Sequence, residues 1–283
     1  MPLAEGQIQI RDLVLGPGTP YNLSPDSNPL ALAARATQTG ARAWANGSWS
    51  GVEWADERAI PLRLMIQAQP ASTAGWLTAW QQLAAAMAPS HTDVPLRWAL
   101  GGVERLMWVR PRMAEPDLHL IADGRGRVRL GLVALDPLVY AGDESSDSTG
   151  LPVWSGGLTA PFTVPVTIGA TRSSGAMTVV NSGTADVGLI LRVDGPAVTP
   201  RVTLVPATGD PQVLTVDIEL GTGQWLDIDT RARTVLLNGT SSRRGVASGD
   251  WPIVPPGTSE LRYDAAQYNG TSTLTATWRS AWW

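Results

Sequence analysis

The sequence predicts a mainly β protein of two domains: an N-terminal antiparallel β domain with one packed α-helix, then a C-terminal β-sandwich. Three observations carry this. At 283 residues the chain is long enough for two domains of ordinary size. Its 29 glycines and 22 prolines, amid 43% hydrophobic and 16% charged residues, suit a folded, turn-rich chain rather than a disordered one. Apolar residues recur at strand spacing along most of the chain and at helical spacing in one stretch.

Taken in order, residues 7–15 open with the alternation of Ile8 and Ile10. Residues 58–67 alternate Ile60, Leu62, Leu64 and Ile66 against Pro61, Arg63, Met65 and Gln67. Both segments read as strands with one buried face. Pro61 has no amide donor, which puts its strand at an edge or turns the missing N–H to solvent. Between them, residues 16–57 are punctuated by Gly and Pro and carry Trp44, Trp49 and Trp54 among polar residues. A connection of that length is usually functional or mobile, and these three indoles are interface candidates.

The helix is expected over 71–88, between Pro70 and Pro89, with Trp76, Leu77, Trp80, Leu83, Ala84 and Met87 on one face. The opposite face offers Ala79, Gln82, Ala85 and Ala86, and no residue of the stretch is charged. Two readings fit: an outer face covered by a neighbour in an assembly, making Gln82, Ala85 and Ala86 interface candidates, or an Ala-rich helix tolerated in water. Gly101-Gly102 can supply the positive φ angles of a tight turn between strands at 95–100 and 103–110. Val128, Leu130, Leu132 and Ala134 alternate along a further strand that ends at Asp136-Pro137.

A polar, Gly- and Ser-rich stretch then marks the junction, so the domains are drawn as 1–145, a linker at 146–160, and a sandwich at 161–283. In the sandwich, strands are expected at 162–168, 176–180, 187–193, 213–220, 225–228, 234–237, 261–264 and 273–278. Within the last strand, alternation buries Trp278 with Leu274 and Ala276.

Charge and composition exclude several functions. The net charge is −4, with 12 arginines against 15 acids up to residue 150 and 9 against 10 beyond it. Neither half has the clustered positive charge of a nucleic-acid binder. Absence of cysteine excludes disulfides, thiolate catalysis and Cys-based zinc sites. All 21 basic residues are Arg, which suggests a GC-rich source rather than a chemical need for guanidinium. The start, Met1 to Gly6, lacks the basic and apolar regions of a signal peptide, and no apolar run approaches a membrane span. Synthesis in the cytoplasm and no membrane insertion are expected.

Catalytic chemistry finds little support. His91 and His119 lie in no motif with a nucleophile or second metal ligand and read as surface or loop residues. Asp227 and Asp229 share a strand face, about 7 Å apart at Cα, a spacing open to a glycosidase or Ca²⁺ role. The structural reading is stronger, because Asp229 precedes a turn whose N–H groups it can accept. Arg125, Arg127 and Arg129 fall on one strand face, read as a solvated hairpin face ahead of a phosphate patch. Asn46-Gly47, Asn238-Gly239 and Asn269-Gly270 begin glycosylation sequons but read as turn formers. Thirteen Trp against one Phe raise a carbohydrate-binding reading, with the Trp44–Trp54 loop and Trp154 as its platforms. Trp76 and Trp80 read as core.

The order of several motifs is informative. It runs Glu57-Arg58-Ala59-Ile60-Pro61-Leu62-Arg63-Leu64, the helix, Val94-Pro95-Leu96-Arg97-Trp98, and a strand closing with Asp136-Pro137-Leu138-Val139-Tyr140. The second half adds Val179-Val180-Asn181-Ser182-Gly183-Thr184-Ala185, then Gly223-Gln224-Trp225-Leu226-Asp227-Ile228-Asp229-Thr230, then the closing Ala276-Thr277-Trp278-Arg279-Ser280-Ala281-Trp282-Trp283. Together they resemble the siphophage distal tail protein family, the hub proteins of the phage tail tip.

The resemblance implies a tail-tube-like N-terminal domain and a galectin-like sandwich. It implies a hexameric ring at the end of a long non-contractile tail, with the tail tube protein, the tape measure protein and tip or receptor-binding proteins as partners. DNA would pass through the lumen without specific binding. The family implies no catalytic residue, cofactor or metal. A carbohydrate-binding adhesin and a tail-tube subunit are the alternatives; a pure tube subunit has no need of the second sandwich.

Overall fold

A computed structural model describes residues 2–155, 171–173, 175–267 and 271–283. The chain forms two compact units, Met1–Gly142 together with Trp283, and Asp143–Trp282. No helix among the described residues is long and apolar enough to cross a membrane.

The first unit is built on β1 (Ile8–Ile10), β2 (Leu13–Leu15), β3 (Tyr21–Leu23), β4 (Arg35–Ala36), β5 (Thr39–Ala41), β6 (Ser48–Ser50), β7 (Trp54–Ala55) and β8 (Arg58–Gln67). Helix α1 (Thr73–Ala86) follows, then β9 (Val94–Leu100), β10 (Val103–Asp117), β11 (Arg125–Ala134) and β12 (Val139–Ala141). The main sheet runs β2-β1-β9-β10-β11-β8-β3, with β12 alongside β10. Every pairing in it is antiparallel.

Local sequence explains the turns of this sheet. Gly101 and Gly102 have φ of 65° and 72°, and Leu100 pairs with Val103 across the two-residue turn the sequence predicts. The Glu5 carboxylate accepts from both turn amides, at 2.7 Å from Gly101 and 3.0 Å from Gly102. Strand β10 pairs with β9 through Val109 and with β11 from Arg110 onward, and its register slips between Pro111 and Met113. The extra residue there bends the strand from one partner to the next. Strand β8 buries Ile60, Leu62, Leu64 and Ile66 as its alternation requires. Only its far half is covered by β3, from Leu64 to Ile66, so Pro61 lies where one side of the strand is open.

Helix α1 begins at Ser72, whose Oγ accepts from the Gly75 N–H at 3.0 Å. Its buried stripe is Trp76, Ala79, Leu83 and Ala86, while Leu77 is exposed. This corrects the expected faces: Ala79 and Ala86 point inward, and Leu77 does not. Large apolar residues dominate a periodicity reading, whereas the contact itself favours small ones. Trp76 lies so close to β11 that a Cβ added at Gly126 would sit 2.5 Å from its Nε1.

Between β3 and β8 the chain projects a two-stranded arm, in which β4 pairs with β7 and β5 with β6. Every residue from 34 to 57 is exposed.

The second unit contains a six-stranded sheet in the order Ser145–Gly150, Thr273–Trp278, Ile190–Asp194, Trp225–Asp229, Thr234–Leu237, Ser241–Ser242. Its five-stranded partner runs Ala176–Asn181, Gly257–Asp264, Arg201–Pro206, Gln212–Val216, Ala247–Gly249. Alternate residues of both sheets are buried, among them Leu191, Val193, Leu226, Ile228, Leu274, Ala276 and Trp278 on the first and Val179, Val202, Leu204, Leu261 and Tyr263 on the second. Trp278 donates its indole N–H to the Val180 carbonyl at 2.9 Å, joining the two layers.

Three expectations change here. Residues 145–150, drawn at the end of the first domain and in the linker, form an edge strand paired with Thr273–Trp278. An exposed edge needs backbone pairing rather than apolar side chains, so Ser, Asp and Thr serve. Arg201–Pro206 is a strand absent from the sequence reading, and Gly257–Asp264 starts earlier than expected. The strand expected at 162–168 lies outside the described residues.

Candidate assembly surface

The two aspartates open to a catalytic reading make local hydrogen bonds. Asp227 accepts the Trp225 indole N–H at 3.0 Å. Asp229 accepts from the amides of Arg231 and Ala232 at 2.9 and 2.8 Å, the turn role its position predicts. No group of three His, Cys, Asp or Glu among the described residues could hold a metal ion. Arg127 and Arg129 line an open groove of about 830 Å³ with Arg63, and Asp26, Glu115 and Asp117 line it too. Arg129 pairs across the sheet with Glu115, and Arg127 with Asp117. Alternating signs make this a balanced surface rather than a phosphate cradle.

The arm is different in kind. Trp44 is fully exposed at its turn, Trp49 and Trp54 are about two-thirds exposed, and Leu30, Leu32 and Val52 are half exposed or more. The Arg42 guanidinium lies 4.8 Å from the Trp49 ring centroid, and Arg35 pairs with Glu53 at 3.6 Å. A two-stranded ribbon has no second layer to cover its apolar side chains. Such a concentration of uncovered apolar area marks an interaction surface.

The arm is rooted by a residue the sequence reading passed over. Arg58 at the start of β8 is 2% exposed; its Nε donates to the Ala31 carbonyl at 2.5 Å and its Nη1 to the Pro137 carbonyl at 3.1 Å. Burial pushes its pKa down from the ordinary arginine value. Leu30, Leu32 and Val52 were also missed; single apolar residues in a polar loop carry no periodic signal.

On the helix, Gln82 is exposed and its Oε1 accepts from the Tyr21 hydroxyl at 3.1 Å. Ala85 is exposed, and its carbonyl accepts from Arg11. Ala86 is 8% exposed and packs into its own unit, so it leaves the set of interface candidates. No hydrogen bond or ring contact among the described residues links the arm tryptophans to Gln82 or Ala85.

The motifs of the second unit are joints. Asn181 donates through Nδ2 to the carbonyls of Ala185 and Val254, at 2.8 and 3.3 Å, and its Oδ1 accepts from Gly183 at 3.0 Å and Ala281 at 3.4 Å. One buried amide thereby pins the closing strand. The Gln224 carbonyl accepts from Gly195 at 2.8 Å, and its side chain accepts from Gly221 at 2.8 Å.

Residues 182–282, which contain Gln224 and the partners of Asn181, match the family model for the siphovirus-type tail component, C-terminal domain. This part of the chain is similar to siphovirus-type tail components. The fold likeness extends over most of the chain's length: the SPP1 Dit protein, described as a paradigm of the hub adsorption apparatus in phages infecting Gram-positive hosts, superposes with a TM-score of 0.62 at 14% identity, over 92% of this chain and 93% of that one. A chain of the phage P2 baseplate in its activated conformation with Ca gives 0.52 at 11% identity, over 96% and 97%. The Sr form gives 0.52 at 12%, over 96% of each chain. No curated protein matches the sequence. The chain thus has the fold of the SPP1 Dit protein, as its motif order implies, and Asn181 and Gln224 of those motifs act as joints.

Proposed function

We propose that this chain is a structural hub of a long-tailed, non-contractile phage: a closed ring, six-membered by resemblance, at the distal end of the tail. The ring joins the tail tube and tape measure protein to the tip or receptor-binding proteins and leaves a channel for DNA. The observation that carries this reading is the arm, with its exposed Trp44, Trp49 and Trp54 and no layer of its own to cover them. In a ring of heterologous contacts each arm lies on the next subunit, and every apolar patch is covered once. Gln82 and Ala85 on the uncharged helix face are the second candidate contact. The role is mechanical, with no catalytic step. Its place is the virion, after synthesis in the host cytoplasm.

Replacing Trp44, Trp49 and Trp54 together by Ser tests this. Mass photometry and negative-stain microscopy should give rings for the wild type and monomers for the variant, with unchanged circular dichroism. A wild type that stays monomeric at every concentration, or a variant that assembles normally, would overturn the reading.

A further inference from the structure

The chain has three Asn-Gly pairs, and two lie among the described residues in contrasting states. Asn46 is exposed in the arm turn and makes no hydrogen bond to any described residue. Gly47 accepts from the Arg42 amide at 3.2 Å through its carbonyl, and its own N–H has no acceptor among them. Asn238 is exposed too, but its Oδ1 accepts from the Trp225 amide at 3.1 Å and its N–H donates to the Trp225 carbonyl at 2.9 Å.

We propose that Asn46 is a site of spontaneous deamidation, which places a carboxylate at the tip of the arm. The Gly47 backbone nitrogen attacks the Asn46 side-chain carbonyl carbon. The N–Cγ bond forms, the Cγ–Nδ2 bond breaks, and ammonia leaves with the proton from the Gly47 N–H. Water then opens the succinimide at either carbonyl, giving aspartate or isoaspartate. One water is consumed, one ammonia is released, and nothing is oxidised or reduced. Glycine at 47 leaves the attacking nitrogen unshielded, and the reaction needs an amide side chain free to turn toward it, as Asn46 is and Asn238 is not.

The product changes the arm. Arg42, paired across the turn with Gly47 and stacked on Trp49, gains an anionic neighbour that competes for its guanidinium. Isoaspartate also adds a backbone atom to the turn. The consequence for assembly rests on the ring reading; the modification does not.

The intact chain is aged at mildly alkaline pH and mapped by peptide mass spectrometry, with isoaspartate labelled by its methyltransferase. Asn46 should convert about tenfold faster than Asn238, the factor expected if conversion of Asn238 must first break one hydrogen bond. Asn46→Gln should abolish conversion there. Equal rates at the two positions, or an intact Asn46 once a synthetic peptide of residues 42–50 has converted, overturns the proposal. Mass photometry on the same samples separates the two ideas. Aged wild type should assemble less well than fresh protein, with Asn46→Gln unaffected by ageing. If fresh and aged protein are both monomeric, the ring reading falls while the modification site stands.

Discussion

Gly126 and Trp76 meet where α1 rests on β11, and no atom can be added at Gly126 without moving the indole. Gly126→Ala should overpack the contact and lower stability by about 1–3 kcal/mol, read from thermal or urea unfolding. Glu5 makes a pH prediction. The Gly102 and then the Gly101 amide hold its pKa below the ordinary carboxylate range. A depressed folded-state pKa means the stabilisation is present above the unfolded-state value and is lost as pH falls through the folded one. The protection of the Gly101 and Gly102 amides, taken relative to intrinsic exchange at each pH, should therefore fall below the ordinary carboxylate range in the wild type. Glu5→Gln should remove that pH dependence; an identical profile in both proteins would refute the role.

At the scale of elements, α1 lacks any basic residue in its last turn, yet its end is not bare. Arg11, in the turn between β1 and β2, donates to the carbonyls of Ala85 at 3.1 Å and Ala88 at 2.9 Å. A cation there also complements the helix dipole. Arg11→Ala should cost about 1–2 kcal/mol in unfolding experiments. The arm behaves oppositely: exposed side chains contribute little to their own unit. The Trp44, Trp49 and Trp54 substitutions should each shift unfolding by no more than about 0.5 kcal/mol, which separates an assembly surface from a core.

For the whole molecule, 21 basic residues against 25 acids leave no excess of cations to neutralise phosphate. A mobility-shift assay with duplex DNA at physiological salt should show no retardation, as the proposed conduit requires. A shift that vanishes with added salt would point to a basic path absent from the charge count. The mixed-sign groove lined by Arg63, Arg127, Arg129, Asp26, Glu115 and Asp117 follows the same balance at short range.

Much of the fold could be read from the chain alone. Period-two alternation located β8, β11 and Thr273–Trp278, and Gly101-Gly102 located a hairpin, because strand faces and positive-φ turns are local properties. Asp229 and Asn238 were legible as turn residues for the same reason. Motif order led to the resemblance, although Asn181 and Gln224 act as joints some of whose partners, Val254, Ala281 and Gly195, lie far along the chain. On the inward face of α1, Trp76, Leu83 and Met87 were read correctly, while Ala79 and Ala86 were missed because they are chosen by closeness to a neighbour, not by hydrophobic weight. The strand at 145–150 was hidden because an edge needs only backbone pairing. Arg58 was missed because its acceptors, Ala31 and Pro137, come together only in the fold. What the sequence by itself determined was therefore the mainly β class and the turns. The tertiary structure decided which side chains remain uncovered, since exposure depends on what every other segment leaves unburied.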